Sequence, residues 1–393
     1  MKSKKKIFYW SPFLVPIATP LAVMNSAYTM KKFSNNLECS IINFFGEFNI
    51  YKEDLFEKKI DLINHYSFPI LKLLPKFGKI RSRISFVVIF LLSFFPLKKI
   101  LNKENPDYLV IHLLTSLPLF LLLFFNFKTK FILRISGLPK IGFFRKLLWR
   151  LALKKIYIIT CPTKNTLEYI KNFNFIDSNN IKLLYDPIIE VNKISKKKRI
   201  TDKKISFNNK EYYFSAGRLT KQKNFLFLCK CFKLIVDKDP NQILVIAGEG
   251  ENKSQIMQYI RKNNLKKNII LTGHLDNIYY HMCRSKAFIL SSLWEDPGFV
   301  IIEAAFCRVP IFSSDCNNGP KELIKDNVNG ILFKSNNIEN FLVKFDEITK
   351  LRENSKKLLL NNLKMCKKFT LFNHYLNFKK ILNDVQFNSK SRL

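Results

Sequence analysis

Two glutamates in the C-terminal half of the chain are the first candidates for chemistry. Glu295 and Glu303 lie in the segment SSLWEDPGFVIIEAAFCRVPIFSSD (291–315), with seven residues between them. Carboxylates accept paired hydrogen bonds from neighbouring hydroxyls, so sugars are natural partners. Glu303 lies in the apolar run FVIIEAAF, where an unpaired carboxylate is costly, and this favours a ligand or a protein partner for it. The alternative for Glu303 is a carboxylate on the solvent face of a helix.

The turn between these glutamates is suited to an anion. Asp296 is a good N-cap and Pro297 suits the first helical position, so we expect a helix to start here. The N–H groups of Gly298, Phe299 and Val300 would then point at a ligand, with the positive end of the helix dipole behind them. The pattern therefore predicts a diphosphate site.

A second anion-binding segment is FSAGRLTKQKN (214–224), an expected strand that runs into a glycine turn. Gly217 leaves room for a bulky anion, Arg218 can fork onto a phosphate, and Lys223 can add a second charge. The alternative is a solvated loop, since the whole chain is basic.

The elements that position these residues follow from hydrophobic patterning. Short apolar runs alternate along the chain with segments of helical periodicity, such as FLFLCKCFKLIV (225–236). This alternation predicts parallel sheets with helices on both faces. The expected strands lie at 7–13, 37–45, 108–113, 130–136, 156–162, 181–187, 212–217, 242–248, 268–273, 287–292, 309–314 and 330–333.

A composition shift at 192–210, which is polar and basic, predicts a linker. We expect an N-terminal domain at 1–190, the linker at 191–210, a C-terminal domain at 211–370, and a helix at 371–393 that packs back toward the N-terminal domain. The predicted fold class is α/β, with two doubly wound, Rossmann-like parallel-sheet domains facing a cleft. Ligands in such sheets bind at the carboxyl ends of the strands.

The 393 residues include 66 Lys and Arg against 30 Asp and Glu, a net charge of +36. This charge predicts an anionic partner, which would be nucleic acid, an acidic membrane face or a phosphorylated small molecule. Codon bias is an alternative source of part of the charge. Recognisable nucleic-acid modules are missing from the sequence, and the 38 Phe lie mainly in apolar runs, so we expect no nucleic-acid partner.

Metal and disulfide chemistry are not expected. The eight cysteines form no Cys-x-x-Cys motif and lie mostly in apolar runs, which predicts buried free thiols in a reducing compartment. The five histidines lack metal-ligand spacing. The acidic pair Asp237 and Asp239 lies in an expected turn, where such residues are usually solvated.

Three hydrophobic stretches are candidates for targeting or membrane segments. The start of the chain resembles a signal peptide, but prolines interrupt it and a strand, a loop and a helix fit better. The stretch 109–127 is long enough to span a membrane, but the polar residues in its middle favour a buried strand, a turn and a helix opened by Pro118. The run 84–97 is too short to span, and we expect a buried or membrane-facing helix there.

The order of motifs in the C-terminal half resembles glycosyltransferase family 4. These motifs are Gly217-Arg218 with Lys223, AGEGE (247–251), TGHLDN (272–277), Glu295 with Glu303, and NNGPKELIKDNVNG (317–330). The match covers this half almost end to end. The resemblance implies GT-B architecture and a retaining, metal-independent hexosyltransferase that uses a nucleotide sugar, more often a UDP-sugar than a GDP-sugar.

The resemblance also implies roles for individual residues. Arg218 and Lys223 would bind the donor diphosphate, Glu295 the transferred sugar, and Glu303 the ribose. The segment Gly273–Leu275 would frame the base, and backbone amides of the turn would hold sugar and phosphate. The expected donor-binding residues are Gly217, Arg218, Lys223, Gly273, Leu275, Glu295, Pro297, Gly298, Phe299, Val300 and Glu303, and the expected catalytic residues are Glu295, His112, Arg218 and Lys223.

The N-terminal half resembles a surface-polysaccharide branch of the family more loosely. The segment 10–23 stands where many relatives have a Gly-rich acceptor loop. His112 occupies the first position of the family's His-x-His pair, with Leu114 at the second, and Ser136 stands where many relatives have His. His112 is therefore the candidate near the reacting sugar, and a core histidine at a strand end is the alternative.

The implied partners are a nucleotide sugar, a lipid-linked oligosaccharide acceptor for O-antigen or other surface polysaccharide, and the anionic leaflet of the membrane. We expect a cytoplasmic protein, peripheral on the cytoplasmic face of the inner membrane. The alternatives are a basic nucleic-acid-binding protein, an integral membrane protein, and a carbohydrate hydrolase using Glu295 and Glu303. Two carboxylates on one turn and helix, beside an anion site, suit donor binding better than hydrolysis.

Overall fold

The computed structural model describes residues 4–15, 18–68, 70–75, 79–139, 142–202, 211–350 and 356–390. The chain divides into two compact units. The first comprises residues 1–187 and 371–393, and the second comprises residues 188–370.

The first unit contains a seven-stranded sheet in which every pairing is parallel. The strands, named in chain order, are β1 (Lys5–Trp10), β2 (Leu37–Asn43), β3 (Asp61–Asn64), β4 (Tyr108–Ile111), β5 (Lys130–Arg134), β6 (Ile158–Cys161) and β7 (Ile181–Leu183). Their spatial order is β3-β2-β1-β4-β5-β6-β7. The chain order reverses between β1 and β4, so the loops after these two strands open a crevice at the carboxyl edge.

Helices cover both faces of this sheet because successive strand residues alternate between the faces. Ile7 and Tyr9 belong to one core and Phe8 and Trp10 to the other. The first core is covered by α1 (Ala18–Lys32), α2 (Lys52–Glu57) and α15 (Leu371–Lys390). The second core is covered by α3 (Lys79–Glu104), α4 (Ser116–Phe124), α5 (Phe143–Ala152) and α6 (Lys164–Lys171).

Two of the hydrophobic stretches considered as membrane segments lie in this unit, and the structure treats them differently. The stretch 109–127 forms β4, a turn and α4, as predicted, with Pro118 in the first helical turn. The run 84–97 is only the centre of the 26-residue helix α3. Its part Arg81–Glu104 has a mean hydropathy of 2.1 and, among the described helices, is the one whose length and composition would allow it to cross a membrane; 33% of its most apolar window is buried.

The second unit contains a six-stranded sheet, again parallel throughout. Its strands are β8 (Tyr213–Ala216), β9 (Leu244–Ala247), β10 (Ile269–Gly273), β11 (Phe288–Leu290), β12 (Ile311–Ser314) and β13 (Ile331–Phe333). The spatial order is β10-β9-β8-β11-β12-β13, with the reversal between β8 and β11. Its helices are α7 (Val191–Lys197), α8 (Phe225–Lys238), α9 (Lys253–Lys262), α10 (Ile278–Met282), α11 (Phe299–Phe306), α12 (Pro320–Leu323), α13 (Ile338–Lys350) and α14 (Lys356–Cys366).

The predicted fold class, two parallel-sheet α/β domains, is confirmed, and each of the twelve expected runs overlaps a strand. The predicted linker is helical at its start, because α7 buries Ile194 within the second unit. Residues 203–210 of that linker lie outside the described part of the chain. Strand β3 has no counterpart among the expected runs.

Candidate functional site

The candidate site of the second unit lies at the carboxyl edge of its sheet, on the loops after β8 and β11. These strands are neighbours at the point where the strand order reverses. The two loops are tied together, since Leu293 N donates to the Gln222 carbonyl at 2.8 Å and Ser291 Oγ donates to the Lys223 carbonyl at 2.8 Å. The fold therefore brings the two predicted anion-binding segments side by side.

Lys223 and Glu295 form an ion pair across these loops. Lys223 Nζ lies 2.5 Å from Glu295 Oε1, and the two side chains are only 13% and 5% exposed. Ser292 Oγ donates to the same carboxylate oxygen at 2.5 Å. Lys223 can reach across because a Cβ on Gly217 would lie 3.2 Å from its Cε. Part of the Lys223 charge thus neutralises Glu295, which the sequence analysis did not foresee.

Arg218 provides a positive charge that is exposed at the site. It follows Gly217 directly at the end of β8 and is exposed. Among the residues that the structure describes, its guanidinium makes no hydrogen bond or ion pair. A planar cation in this state can fork onto a phosphate that approaches the strand ends.

The helix after Glu295 begins later than predicted. Asp296 is not the N-cap and Pro297 is not the first helical residue; the Asp296–Pro297 peptide is cis, the N-cap is Gly298, and α11 begins at Phe299. Gly298 has a φ of 91°, a conformation that glycine adopts without strain, and this overrides the capping preference of Asp296. The N–H groups of Phe299 and Val300 have no acceptor within the helix and remain available to an anion.

Close backbone packing supports this turn. A Cβ on Gly319, in the segment 317–330, would lie 2.2 Å from the Pro297 carbonyl oxygen and 3.2 Å from Glu295 Cβ. Any side chain at Gly319 would displace the turn. The glycine of the NNGP sequence is therefore needed to hold the turn 295–298 in place.

Glu303 lies on α11 and is half-buried. Tyr279 Oη donates to its Oε1 at 2.8 Å. Burial raises the Glu303 pKa to about 7, while the Tyr279 hydrogen bond and the charges of Lys197 and Lys223 lower it. The sequence analysis missed Tyr279, although an available signal was its position just after the TGHLDN motif. Glu303 is thus poised between its acid and its carboxylate near neutral pH.

The predicted base-framing residues lie at the same edge of the sheet. Gly273 ends β10, and its carbonyl accepts at 2.8 Å from the N–H of Gly248, which directly follows the neighbouring strand β9. Leu275 is buried two residues later. Strand β9 lies between β10 and β8. The carboxyl edge of the sheet therefore runs from the segment Gly273–Leu275 after β10 to Arg218 after β8.

His112 lies in the first unit, directly after β4 at the reversal of strand order. Its N donates to the Trp10 carbonyl at 2.9 Å, and the side chain is buried. Burial lowers the pKa of His112 well below its ordinary value, and the positive charge of Arg134 adds to that effect. His112 is therefore neutral at physiological pH.

A buried polar network near His112 was missed by the sequence analysis. Arg134 and Asp186 form a buried ion pair, with Nη2 at 2.5 Å from both carboxylate oxygens. His374 on α15 donates from Nδ1 to the Tyr185 carbonyl at 2.7 Å, and its Nε2 accepts from Ser26 Oγ at 2.9 Å. The sequence shows that these residues are polar, but it does not show which of them pair, because the partners are far apart along the chain.

The remaining expectations concern cysteines and metals. All eight cysteines are free, and seven of them are buried. Among the described residues no group of three or more His, Cys, Asp or Glu is placed to hold a metal ion. Asp237 pairs with Lys233 at 2.6 Å, and Asp239 accepts from Gln242 at 2.6 Å.

Known glycosyltransferases resemble this chain in sequence and in fold. Residues 196–365 match the family model described as glycosyl transferases group 1. An α-1,4-N-acetyl-D-galactosaminyltransferase of Campylobacter jejuni, whose name specifies a diNAcBac-PP-undecaprenol-linked saccharide, is 27% identical over 89% of this chain and 91% of its own length. Several other curated relatives are covered over only 25% to 61% of their length.

Solved structures share the fold. A glycosyltransferase from Rickettsia africae aligns with a TM-score of 0.74 at 16% identity, covering 98% of this chain and 99% of its own. Anabaena HepE in complex with UDP aligns with a TM-score of 0.67 at 14% identity, covering 97% and 100%. These neighbours show the fold of the chain, and the family match adds a resemblance to glycosyl transferases over residues 196–365.

Proposed function

We propose that the protein is a retaining, metal-independent glycosyltransferase that moves a hexose-type sugar from a nucleotide sugar to a lipid-linked saccharide. The observation that carries this proposal is the cluster formed by Arg218, the Lys223–Glu295 pair and the N-terminus of α11 at the reversal of strand order. A cluster of this kind suits a diphosphate that carries a sugar.

The departing diphosphate gains negative charge as its bond to the sugar breaks. Arg218, Lys223 and the N–H groups of Phe299 and Val300 would stabilise that charge, so this scheme requires no metal ion. The sugar becomes oxocarbenium-like, and the acceptor hydroxyl attacks from the face that the diphosphate leaves, giving its proton to the departing phosphate oxygen. Glu295, held by Lys223 and Ser292, would accept hydrogen bonds from the transferred sugar.

Glu303 would hold the ribose of the donor, since a carboxylate accepts bonds from two neighbouring hydroxyls. The nucleotide we favour is UDP; the UDP complex of HepE and the known preference of the resembled family support this choice. His112 would contact the reacting sugar as a neutral group.

The name of one relative supports the proposed acceptor, and the proposed location rests on that acceptor. The name of the C. jejuni transferase specifies an undecaprenol-linked saccharide. A lipid-linked acceptor for surface polysaccharide would be met at the membrane, so we propose a cytoplasmic protein that is peripheral on the inner face of that membrane.

A donor screen with an undecaprenyl-diphosphate-linked oligosaccharide tests the proposal. We expect transfer from one nucleotide sugar, unchanged by a chelator, with the donor's anomeric configuration kept in the product as read by NMR. Glu303→Ala should lose turnover and keep the fold by circular dichroism. Inverted product would overturn retention, metal dependence would overturn the metal-free scheme, and sugar release from an oligosaccharide without a nucleotide donor would indicate a hydrolase instead.

A further inference from the structure

Helix α3 exposes a stripe of large apolar residues that a surface helix in water would normally bury. Ile84, Val87, Leu91 and Phe95 recur three or four positions apart and are all more than half exposed. The face toward the core instead includes Ser85 and Ser93, both fully buried. A helix bathed by water places large apolar residues inward and hydroxyls outward.

The exposed apolar face continues onto two neighbouring helices. The Phe120 ring on α4 lies 6.1 Å from the Phe94 ring on α3 and 4.5 Å from the ring of Phe124, which is 64% exposed. Helix α5 packs beside α4 and exposes Phe143 and Phe144 by 77% and 83%. We call this surface the α3–α5 face, represented by Val87, Leu91, Phe95, Phe124, Phe143 and Phe144.

Positive charge surrounds the α3–α5 face. Lys98 and Lys99 follow Phe95 by one turn, and α5 adds Arg145, Lys146 and Arg150. The sequence has no Asp or Glu between Asp107 and Glu168, a segment that includes α4 and α5. Aromatic residues beside Lys and Arg match the boundary between acyl chains and anionic headgroups.

The buried face of α3 determines the orientation in which the helix could contact a bilayer. Ile89, Leu97 and Leu101 are buried in the core that lies against the sheet of the first unit. The helix is therefore held against the sheet along its length and can offer only one face to lipid. This geometry fits a helix lying in the plane of the interface rather than one crossing the membrane.

We propose that the α3–α5 face docks the first unit onto an anionic lipid bilayer, with α3 in the interface plane. The choice of a bilayer as the occupant rests on the charge around the face and on the proposed lipid-linked acceptor. The experiment below must distinguish binding to a bilayer from binding to a protein partner or to a second copy of the chain.

Flotation with vesicles tests the proposal on the full-length protein. Vesicles of phosphatidylglycerol and phosphatidylethanolamine should bind the protein, and phosphatidylcholine vesicles should bind it far less. The double variants Leu91→Ser/Phe95→Ser and Phe143→Ser/Phe144→Ser should each weaken binding by about tenfold or more, because each removes two large inserted side chains.

Phe56→Ser is the matched control. Phe56 is 85% exposed in the same unit, but it lies on α2, against the opposite face of the sheet. Binding by both double variants equal to that of Phe56→Ser would overturn the proposal. So would failure of the wild type to bind anionic vesicles, or a dimer in light scattering that the double variants dissolve.

Donor hydrolysis or transfer to a water-soluble acceptor separates this proposal from the proposed function. The double variants should keep that activity, since they lie outside the site of the second unit. Lost vesicle binding with activity kept supports the docking surface. Activity without any vesicle binding by the wild type would remove the docking surface and leave the transferase intact.

Discussion

The two units share a topology but differ in what occupies the carboxyl edges of their sheets. In the second unit the strand ends carry glycines, such as Gly217 and Gly273, and the groups facing out are backbone N–H and the exposed Arg218. In the first unit the same positions carry buried side chains: His112 follows β4, and Arg134 at the end of β5 pairs with Asp186 in the loop after β7.

The same sheet topology can therefore carry two different sets of polar groups at its carboxyl edge. Glycine-rich strand ends leave room for a ligand and present N–H groups and charge to it. The edge of the first unit is instead filled by its own side chains, among which Arg134 pairs with Asp186 and His374 bonds to Tyr185 and Ser26. We therefore expect substitutions to act mainly on ligand chemistry in the second unit and mainly on stability in the first.

The largest effect should come from Asp186→Ala in the first unit. It leaves the Arg134 guanidinium buried without its counter-ion, which typically costs about 3–5 kcal/mol of unfolding free energy. Urea unfolding measures this cost. Glu168→Ala, which breaks an exposed pair with Lys171, should cost less than about 1 kcal/mol. Equal midpoints for the two variants would contradict a structural role for the buried pair.

Lys223→Met should act on catalysis in the second unit. Removing one stabiliser of the departing charge lowers kcat/KM by about 10²–10³-fold in comparable sites. Steady-state kinetics with the donor found by screening provides the measurement. Lys221→Met is the control, because Lys221 is an exposed lysine of the same loop. Similar kinetics for both variants would remove Lys223 from the site.

Two glutamates with raised pKa values, one in each unit, extend the comparison to the effect of pH. Burial raises the pKa of both Glu303 and Glu47 to about 7, above the ordinary value of 4.5. Their contributions to folding stability are therefore complete below pH 4.5 and are lost as the pH rises toward 7. Glu303→Gln and Glu47→Gln should each flatten that decline in chemical denaturation.

Nucleotide binding should distinguish these two glutamates. If ribose binding requires the Glu303 carboxylate, the affinity should weaken by up to about tenfold per pH unit below 7. The Glu303→Gln variant should lose this pH dependence of the affinity, and Glu47→Gln should keep it. Any pH dependence that remains in Glu303→Gln comes from the phosphates of the nucleotide, so the difference from wild type isolates the effect of Glu303. An identical pH profile for wild type and Glu303→Gln would contradict the role of Glu303.

The smallest effects should separate the two buried histidines of the first unit. His374→Ala removes hydrogen bonds to Tyr185 and Ser26 and should cost about 1–3 kcal/mol of stability without changing turnover by folded protein. His112→Ala should lower kcat by about tenfold, because it removes one contact to the reacting sugar, worth about 1.4 kcal/mol. Full turnover by His112→Ala would make it a core histidine.

The sequence predicted the repeating elements of the fold better than their ends. Continuous apolar runs identify buried parallel strands, but β3 (DLIN) has polar ends and lies at the edge of its sheet. Capping preferences placed the start of α11 at Asp296, whereas the positive φ of Gly298 determines it. The apolar length of α3 was underestimated because basic and polar residues extend it at both ends.

The candidate site was predictable where its groups are close in sequence or belong to a recognisable motif. Glu295, Glu303 and the turn between them form one segment, and Arg218 follows a glycine-ended strand. The Lys223–Glu295 pair, the Tyr279–Glu303 bond and the Arg134–Asp186 pair join residues that are 72, 24 and 52 positions apart. Such contacts arise from tertiary packing, which composition and periodicity do not encode.

Calorimetric titration with nucleoside diphosphates tests the central claim most directly. We predict that one nucleoside diphosphate, UDP in our proposal, binds the wild-type protein at a single site. Arg218→Met should weaken that binding by about 10–100-fold, because it removes a charge-assisted hydrogen bond to phosphate. Absence of binding by every nucleoside diphosphate, or equal binding by wild type and Arg218→Met, would contradict the donor site proposed at the strand ends of the second unit.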